Sequence, residues 1–449
     1  MSTLRSQLRF QQTNNLFEFD SKRISSYEFF ADIASYRAKV RKGFQNVESE
    51  SPAVLLSEDD VYLFAVRLFA IANEGGTLVF PANSQSQTLA ELAASVDFCA
   101  GSVDVPDLQS LEDIHEQSSV DESIYWPLYG RLIFFTSGSS GQPKKIEKQW
   151  ANLNSELVNL SQTFAIPSET VFLSSVSHQH IYGMLFRLLW PIANGVTVTK
   201  TIAYPEHARE LIEKHSQICF VSSPAFLKRL ALDNIFTPYH HKFSEIFSSG
   251  GPLADATATL LAQQFKRGVR QIYGSTESGG IAHRTFEQLP APDWTLFPGI
   301  VIETDKGSGQ IRLSSPYIQE TSLLMDDIGV VTSGNRLKLR GRVDRTIKLE
   351  EKRVNLTQME QYLRTHPDVN NCKMIALAQE RQIIATVVEY NGKVDTANKR
   401  AAQNRLKQFL EQKFERVCLP RKWRFVEQFP YNSQGKVPLR ELEKLFDGK

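Results

Sequence analysis

Residues 136–141 read TSGSSG, a run made only of glycine and hydroxyl-bearing residues, and Lys144 and Lys145 follow just after Pro143. A turn of this composition exposes backbone N–H groups and hydroxyls. With an ammonium group nearby, it can hold phosphate oxygens. The run does not fit the Walker pattern G-x-x-x-x-G-K-[ST]. On its own it could equally be a polar surface turn after the apolar strand predicted over 132–135.

Two later turns have the same character, and each follows an apolar run that predicts a strand. Ile246 to Ser249 leads into Gly250 and Gly251, and residues 271–273 lead into residues 274–277, which read GSTE. Ligands of α/β proteins bind beyond the carboxyl ends of sheet strands. Three strands that end in small-residue turns therefore predict a ligand site at the edge of a sheet.

Helix and strand patterns alternate ahead of and between these turns. A capping box at Ser25 and Glu28 predicts a helix that ends near Arg41. Further helices are predicted over 57–73, 88–94, 150–164, 184–190, 204–215, 225–232 and 254–265, and strands over 77–80, 171–176, 195–199 and 218–221. This alternation is typical of a layered α/β body with a largely parallel sheet. Residues 102–123 are acidic and irregular, which indicates a surface connection.

The pattern changes after Phe297. Short alternating strands with glycine turns continue to Leu339 and predict a small β subdomain. Beyond it, helices near 358–365 and 398–414 and strands near 374–377 and 383–388 predict an α+β segment. The fold class is therefore α/β. We expect a large N-terminal domain of layered parallel sheets and helices, residues 1–342 with the small β subdomain, and an α+β C-terminal domain, residues 343–449.

The composition is that of an ordinary globular protein, with 449 residues, 41% hydrophobic and 22% charged. A formal net charge of +1 gives no reason to expect nucleic-acid binding. Four distant cysteines without a C-x-x-C pair indicate neither a disulfide framework nor a zinc site, and predict the reducing cytoplasm. The polar N-terminus does not resemble a signal peptide, and no apolar run reaches membrane-spanning length.

Six motifs occur here in an order that one family shares. They are FTSGSSGQPK at 135–144, HIYG at 180–183, SSGGPL at 248–253, YGSTE at 273–277, DIG at 327–329 with GRVDRTIK at 341–348, and PYNSQGKV at 430–437. On these motifs the chain resembles the adenylate-forming acyl and aryl ligases. That superfamily includes acyl-CoA synthetases, acyl carrier protein ligases, luciferases and nonribosomal adenylation domains. The resemblance extends from about Leu132 to the C-terminus.

The resemblance implies a reaction in two halves. A carboxylate attacks the α-phosphorus of ATP and expels pyrophosphate, and a thiol then displaces AMP from the acyl-adenylate. Because the first half brings an anion to a polyanion, the site must supply positive charge and N–H donors. The expected cofactors are ATP and Mg²⁺, a hard cation that prefers carboxylate and phosphate oxygens.

Family roles on the nucleotide side come to this chain position by position. The loop that would hold the β- and γ-phosphates consists of Thr136, Ser137, Gly138, Ser139, Ser140, Gly141 and Lys144. The resemblance implies that Tyr273, followed by Gly274 and Ser275, packs on the adenine. It also implies that Thr276 bonds to the α-phosphate. Glu277 would hold Mg²⁺, with Thr136 as the second metal-binding residue.

Further roles implied by the resemblance involve later motifs. The residues Ser249, Gly250 and Gly251 would form a wall where adenine and acyl group meet, because larger side chains would obstruct the ligand. Asp327 would bind the ribose hydroxyls, and Arg342 would be the cation near AMP. His180 matches the gate between the phosphates and the acyl pocket, since Gly183 follows at the family spacing. His178 stands beside it as the alternative, and neither histidine has a carboxylate or cysteine partner nearby that would indicate a metal site.

Two residues near the C-terminus complete the implied mechanism. Lys436, in the pair Gly435-Lys436, matches the lysine that bridges the carboxylate and the α-phosphate during adenylation. Without the resemblance it would be one more lysine in a basic tail. Asp344 matches the hinge about which a mobile C-terminal domain reorients between the half-reactions. Lys436 would leave the site when the thiol enters.

The chain departs from the family pattern around Glu351, where many thioester-forming members have a glycine. That glycine lets the pantetheine arm pass close to the backbone, so the usual thiolation geometry is in question here. Asn355 also replaces a common glutamate. The segments before the phosphate loop and between Glu277 and Asp327 are shorter than usual. The acyl pocket's outer walls are therefore expected to differ.

The six motifs do not identify the thiol acceptor or the carboxylic acid, so both are inferred from other residues. Residues 399–424 carry nine Lys or Arg against two Asp or Glu, which favours an acidic acyl carrier protein over free coenzyme A as the acceptor. Tyr182, Phe186, Phe226 and Ile281 suit an aryl or medium acyl group. The chain is also similar to stand-alone ligases that load an aromatic acid, and this resemblance implies an acid such as 4-hydroxybenzoate. The aspartate usual in amino-acid-activating members is missing from residues 221–224.

Two other classes of protein fit the sequence less well than an adenylate-forming ligase. A non-catalytic relative that binds a nucleotide or acyl group would have no need of Lys436. A hydrolase is disfavoured because the chain has no G-x-S-x-G elbow.

Overall fold

The computed structural model describes residues 15–19, 22–116, 128, 130–137, 143–349, 352–377, 383–391, 398–414, 416–432 and 437–447. The chain divides into two compact units. The first comprises Met1–Pro292, Phe297–Ile300 and Ser315–Thr321, and the second Asp293–Leu296, Val301–Ser314 and Ser322–Lys449. The small β subdomain therefore belongs to the second unit, whereas the sequence predicts it as part of the N-terminal domain. The boundary predicted at 342–345 stays a prediction.

The first unit contains two sheets. Their strands are β1 Asn15–Phe19, β2 Lys22–Ser25, β3 Ala53–Ser57, β4 Thr77–Phe80, β5 Phe98–Gly101, β6 Arg131–Ser137, β7 Pro143–Gln149, β8 Val171–Ser174, β9 Thr197–Thr201, β10 Ile218–Ser222, β11 Phe243–Ser248, β12 Val269–Ser275 and β13 Gly279–Phe286. One sheet has the order β5-β3-β4-β6-β7, and the other runs β13-β12-β11-β10-β8-β9-β1-β2. All strand pairs are parallel except β1–β2, β6–β7 and β12–β13.

Helices lie between these strands. They are α1 Ser26–Phe44, α2 Val61–Asn73, α3 Ser86–Ala93, α4 Trp150–Thr163, α5 Ile181–Gly183, α6 Trp190–Ala193, α7 Arg209–Lys214, α8 Pro224–Asp233 and α9 Asp255–Phe265. A π-helical segment, Met184–Leu189, joins α5 to α6. Short 3₁₀ helices occupy Leu111–Asp113, Pro205–Ala208 and Thr237–Lys242.

The central strands of the larger sheet are apolar and buried along their length. β8 reads VFLS and β10 reads ICFVS, and all nine of their residues are buried. Continuous apolar runs of this kind are typical of parallel strands covered on both faces, since helices pack on each side of the sheet. Phe220 and Ile246 from the sheet pack with Leu227 from α8 and Leu261 from α9 in one buried cluster. The predicted fold class, α/β with layered parallel sheets and helices, is confirmed.

Helix α1 begins as the sequence predicts. The Ser25 side chain accepts a hydrogen bond from the Glu28 N–H, and the Glu28 carboxylate accepts one from the Ser25 N–H at 2.8 Å. The helix predicted over 57–73 begins later, at Val61, because residues 53–57 form β3 and the Asp60 side chain caps the helix by accepting from Tyr62 and Leu63 N–H groups. The prediction started the helix at Ser57, but Ser57 ends β3 and the cap is Asp60.

The segment predicted to be a surface connection is only partly one. Leu111 is fully buried. The Glu112 carboxylate accepts hydrogen bonds from Arg67 Nε at 2.6 Å and from the Tyr36 hydroxyl at 2.7 Å. Its part within the described residues, 102–116, is thus fastened to α1 and α2. The strands β3, β5 and β13 and the C-terminal strand at 422–426 were not predicted.

The second unit is built from antiparallel strands followed by an α+β segment. Its strands are β14 Trp294–Leu296, β15 Val301–Thr304, β16 Gln310–Ser314, β17 Leu323–Thr332, β18 Arg336–Arg342, β19 Thr346–Leu349, β20 Lys352–Asn355, β21 Val369–Leu377, β22 Ile383–Tyr390 and β23 Lys422–Val426. Strand order is β15-β16-β17-β18-β14 in the first sheet and β21-β22-β23 in the last, with β19-β20 as a separate hairpin. Its helices are α10 Leu356–Leu363, α11 Lys399–Glu411 and α12 Leu439–Lys444, with 3₁₀ turns at Val343–Arg345 and Arg416–Cys418.

The α+β segment has its own core. Met359 and Leu363 of α10 and Leu406 and Leu410 of α11 pack with Ile384 of β22. Among the described residues, no helix is both long and apolar enough to cross a lipid bilayer.

Candidate active site

The hydroxyl-rich turn joins β6 to β7, two antiparallel strands. Their register sets Thr136 opposite Lys144 and Ser137 opposite Pro143. The turn's tip, with Gly138, Ser139, Ser140 and Gly141, lies outside the described residues. Of the predicted phosphate loop, the structure therefore describes only the two ends. These ends place Thr136, which carries a hydroxyl group, directly opposite Lys144 across the two strands.

Lys144 also reaches the second predicted turn. Its Nζ lies 2.9 Å from Glu277 Oε1, with side-chain exposures of 61% for Lys144 and 30% for Glu277. Burial raises the pKa of the Glu277 carboxyl, but the hydrogen bond and the charge of Lys144 bring that pKa below its ordinary value. Glu277 is thus an ionised carboxylate at neutral pH. The two charged groups that the sequence assigns to phosphate and metal are in direct contact.

Hydrogen bonds within the YGSTE turn hold the Glu277 backbone. The Ser275 N–H donates to Ser278 Oγ at 3.0 Å, and the Ser278 N–H donates to Ser275 Oγ at 3.2 Å. A Cβ on Gly274 would lie 2.3 Å from the Gly279 carbonyl oxygen, so this glycine is required by the close approach of two backbones. Tyr273 and Thr276 are both partly exposed beside this turn.

Two buried charged residues behind the turn were missed by the sequence analysis. Lys148 on β7 donates from Nζ to the Glu277 carbonyl oxygen at 3.0 Å and to the Tyr317 carbonyl oxygen at 2.8 Å. Glu156 on α4 accepts a hydrogen bond from the Gly280 N–H at 2.7 Å. The available signal was the alternation of β7, which puts Lys148 on the same face as Lys144.

The third turn, Ser249 to Gly251, follows β11. The Ser249 hydroxyl donates to the Ile272 carbonyl oxygen at 3.0 Å, so its side chain joins β11 to β12. Gly250 has a φ of +86°, a conformation that favours glycine. A Cβ on Gly251 would meet no heavy atom within 4 Å. Open space beside Gly251 is compatible with the predicted ligand wall, and in the described part of the chain no neighbouring atom requires a glycine there.

His180 and His178 have different surroundings. His180 is partly exposed and stands at the N-cap position of α5 without a capping hydrogen bond from its side chain, while His178 is buried with its Nε2 2.8 Å from the Glu58 carbonyl oxygen. Arg187, itself fully buried, lies with Nη1 3.1 Å from His178 Nδ1. Since arginine can only donate, His178 Nδ1 accepts and Nε2 carries the proton.

The neutral state of His178 has a clear cause. Burial, followed by the charge of Arg187, lowers the pKa of His178 to about 3. The same burial lowers the pKa of Arg187 to about 9. His178 is therefore a neutral link in a buried chain of hydrogen bonds, and of the two histidines His180 is the one that is partly exposed. The gate role of His180 stays a prediction.

The glycine in the HIYG motif has a packing role. A Cβ on Gly183 would lie 2.0 Å from the Ser177 carbonyl oxygen. The loop that carries His180 therefore packs directly on α5, and only glycine permits this. The spacing between His180 and Gly183 follows from that contact.

Asp327 and Arg342 face each other in the second unit. They are register partners of β17 and β18, and Arg342 Nη1 lies 3.2 Å from Asp327 Oδ2. The Asn355 side chain donates to the Arg342 carbonyl oxygen at 3.2 Å. Asp344 lies in the 3₁₀ turn Val343–Arg345, directly after β18, where only its backbone is described. Lys436 and Glu351 lie outside the described residues.

The residues present fit the nucleotide and the metal that the resemblance implies. Mg²⁺ in proteins is commonly bound by one or two carboxylates together with substrate phosphates. Glu277 supplies one ionised carboxylate. Across the described ranges, no three His, Cys, Asp or Glu side chains form a self-sufficient metal cluster. A metal held here would therefore need phosphate oxygens as further ligands.

The fold and this arrangement define a class of protein. Two family models match the chain, AMP-binding enzyme over residues 90–303 and AMP-binding enzyme C-terminal domain over 358–436. The D-alanine--D-alanyl carrier protein ligase of Staphylococcus epidermidis is 23% identical over 350 residues, covering 70% of this chain and 71% of that protein.

Solved structures agree with the family models. ATP-bound MatB from Rhodopseudomonas palustris superposes with a TM-score of 0.80 at 15% identity, covering 99% of this chain and 98% of that one. The AMP complex of the O-succinylbenzoate coenzyme A synthetase MenE from Bacillus subtilis gives 0.79 at 14% identity, covering 98% and 97%. At these identities the likeness shows the fold. The class is that of the adenylate-forming ligases.

The chain belongs to the AMP-binding enzyme family, and it is an AMP-forming acid–thiol ligase that uses ATP.

Proposed function

We propose that this enzyme activates an aromatic acid such as 4-hydroxybenzoate, or a medium-chain acid, and transfers it to the phosphopantetheine thiol of an acidic acyl carrier protein. The observation that carries the adenylation half is the 2.9 Å contact between Lys144 Nζ and Glu277 Oε1. It joins the end of the phosphate loop to the carboxylate expected to hold the metal.

The first half-reaction needs charge at the phosphates. Lys144 and the N–H groups of the loop would bind the β- and γ-phosphate oxygens, and Thr276 would bond to the α-phosphate. Mg²⁺, when bound, neutralises phosphate charge and favours departure of pyrophosphate. Glu277 would hold it, with the Thr136 hydroxyl nearby. When ATP arrives, Lys144 would exchange its bond to Glu277 for bonds to phosphate.

The remaining roles rest on the resemblance and are part of the proposal. Asp327 would take the ribose hydroxyls, with Arg342 beside it. Lys436 would bridge the acid's carboxylate and the α-phosphate, which stabilises the charge that develops as the bond to phosphorus forms. Asp344 would be the hinge that withdraws Lys436 before the thiol attacks the acyl carbon and AMP leaves.

The preference for a carrier protein has support from charge on α11. Ala402, Leu406 and Leu410 face the core, and Lys399, Arg400 and Arg405 are exposed. Lys399 and Arg400 lie in the first turn of this helix, and that turn contains no acidic residue. The helix dipole disfavours cations there, so a second source of free energy, such as an acidic partner, would account for them.

Exposed cations continue beyond α11, at Lys413, Arg416 and Arg421. Among the described residues, Arg416 pairs with Glu411 at 3.5 Å while its side chain stays 85% exposed, and Lys413 Nζ lies 4.8 Å from the Tyr362 ring centroid. Fields of this sign speed and orient docking of acidic proteins. The curated relative from Staphylococcus epidermidis is named as a carrier protein ligase, which supports the same acceptor class.

The acid is inferred from the end of β10. The Ser222 hydroxyl bonds to the Ser175 hydroxyl at 2.8 Å, and the Ser223 hydroxyl caps α8. No carboxylate stands at residues 221–224 to receive an amino group. The Tyr182 hydroxyl donates to the Ser222 carbonyl oxygen at 3.3 Å, and its ring lies 5.0 Å from that of buried Phe186. These features favour an aromatic or apolar acid over an amino acid.

Carboxylate-dependent exchange of labelled pyrophosphate into ATP tests the acid. The panel should contain 4-hydroxybenzoate, benzoate, octanoate, hexanoate and D-alanine. We expect the highest kcat/KM with an aromatic or medium-chain acid. A clear preference for D-alanine would overturn the assignment of the acid and leave the adenylation half intact. The absence of exchange with every acid of the panel would favour the non-catalytic relative.

The acceptor is tested by loading, followed by intact-protein mass. Phosphopantetheinylated acyl carrier protein should be acylated with a higher kcat/KM than coenzyme A, and the advantage should shrink as salt is raised. Arg400→Glu should raise the KM for the carrier without changing pyrophosphate exchange. Lys306→Glu, at an exposed lysine of the β subdomain, is the matched control. Equal or better use of free coenzyme A would establish the alternative, an acyl- or aryl-CoA synthetase.

A further inference from the structure

Lys148 is a buried cation whose contacts are directed at one turn. It is 2% exposed and lies on β7, two positions after buried Ile146 and four after Lys144. Side chains two apart on a strand share a face. Lys144 binds the carboxylate of Glu277, and Lys148 binds the carbonyl oxygen of the same residue at 3.0 Å. Strand β7 therefore contacts both the side chain and the backbone of Glu277.

Glu156 holds the other side of the turn. It is 4% exposed on α4 and accepts a hydrogen bond from the Gly280 N–H at 2.7 Å. A Cβ on Gly279 or Gly280 would lie 2.8 Å or 2.9 Å from its carboxylate oxygens. Two successive glycines are thus what lets the carboxylate reach the backbone. Gly279 in addition has a φ of +68°, which favours glycine.

Burying two charged side chains is less favourable in free energy than burying apolar side chains of the same size. Burial lowers the pKa of Lys148 and raises the pKa of Glu156, while the attraction between their opposite charges opposes both shifts. The effective cost of burying an ion is several kcal/mol, and apolar residues of similar volume often serve stability equally well. Hydrogen bonds from charged groups are shorter and stronger than neutral ones, which suits a role in fixing a backbone.

We propose that Lys148 and Glu156 are positioning residues that fix the Glu277 turn so that its carboxylate stands ready for the Mg²⁺ of bound ATP. The inference rests on the proposed role of Glu277. β7 begins at the phosphate loop and α4 follows β7 directly, so the two anchors tie the loop that binds phosphate to the turn that binds metal. Neither residue touches the reacting atoms.

Equilibrium binding of ATP, measured by calorimetry with and without Mg²⁺, tests this without any acid substrate. The parent should bind ATP more tightly when Mg²⁺ is present. Residues that orient a metal ligand typically raise metal affinity about 10- to 100-fold. In Lys148→Met, the gain in ATP affinity on adding Mg²⁺ should therefore be smaller than the parent's by about tenfold or more. Lys145→Met should keep it, because Lys145 is exposed on the other face of the same strand.

Lys148→Met leaves Glu156 without its neighbouring charge and could fold poorly. Lys148→Met with Glu156→Gln removes both charges, keeps an acceptor for Gly280, and should show the same loss. A Mg²⁺ gain equal to the parent's in either variant, with or without lower stability towards urea, would overturn the positioning role. A parent whose ATP affinity ignores Mg²⁺ would do the same. Failure to find an activated acid would count only against the proposed function.

Discussion

Replacing Gly251 by alanine separates a ligand wall from an ordinary turn. Within the protein, the added methyl group meets no heavy atom within 4 Å, and the residue is exposed. Nothing in the fold therefore opposes the change. The free energy of unfolding should stay within about 0.5 kcal/mol of the parent's, as for other surface substitutions.

The expected effect on binding follows from the same geometry. If adenine or the acyl group lies against Gly251, the methyl group occupies space that the ligand needs. Overpacking a fitted contact costs about 1–3 kcal/mol. That corresponds to a loss of roughly 5- to 150-fold in kcat/KM for ATP or for the acid.

Pyrophosphate exchange with ATP and acid varied in turn measures this loss and assigns it to one ligand. Gly307→Ala is the control. Gly307 lies in an exposed turn of the second unit, where a Cβ would make only an ordinary 3.5 Å contact with Asp305. Parental kcat/KM values for both ligands in Gly251→Ala would refute the wall. Lost activity with a matching loss of stability would mean that the turn itself had been disrupted.

Three further outcomes are expected. Gly183→Ala should destabilise the enzyme by about 1–3 kcal/mol in urea unfolding, because its Cβ would lie 2.0 Å from the Ser177 carbonyl oxygen; unchanged stability would contradict that contact. The pKa of His178 is about 3 when folded and 6.5 ordinarily, so only the unfolded chain is protonated between these values. Stability should fall as pH drops below 6.5, by up to about 1.4 kcal/mol per pH unit from this residue, and less steeply in His178→Gln. Asp344→Pro, which fixes φ, should form acyl-AMP but fail in thiol transfer; normal transfer would refute the hinge.

Much of the first unit could be predicted because its central strands are uninterrupted apolar runs that end in glycine and serine. The approach of Lys144 to Glu277 does not follow from one sheet edge, because β7 belongs to the smaller sheet and β12 to the larger one; the two residues were linked only by the roles that the resemblance gives them. Short elements were harder. The four residues of β5, Phe98–Gly101, contain a cysteine and a glycine and give little periodicity, and β13 begins with two glycines.

The buried anchors of the site could not be found in the same way. A lysine such as Lys148 is almost always solvated unless it is paired, and its partners are backbone carbonyls that no side-chain pattern reveals. Glu156 lies on the face of α4 that buries Leu153 and Leu160, but the sequence names no partner for its carboxylate. Only the packing of α4 against Gly279 and Gly280 shows that its carboxylate is inside. The requirement for glycine at 183 likewise depends on a backbone contact with Ser177 and not on the ligand.

The most direct test of the account is pyrophosphate exchange by the parent and by Lys436→Ala, run with the best acid of the panel. We expect acid-dependent exchange in the parent and a loss of about 10²–10³-fold in the variant, the scale for removing one donor that stabilises the transition state. Exchange that persists undiminished in Lys436→Ala, or a parent that exchanges pyrophosphate with no acid offered, would contradict the proposed mechanism.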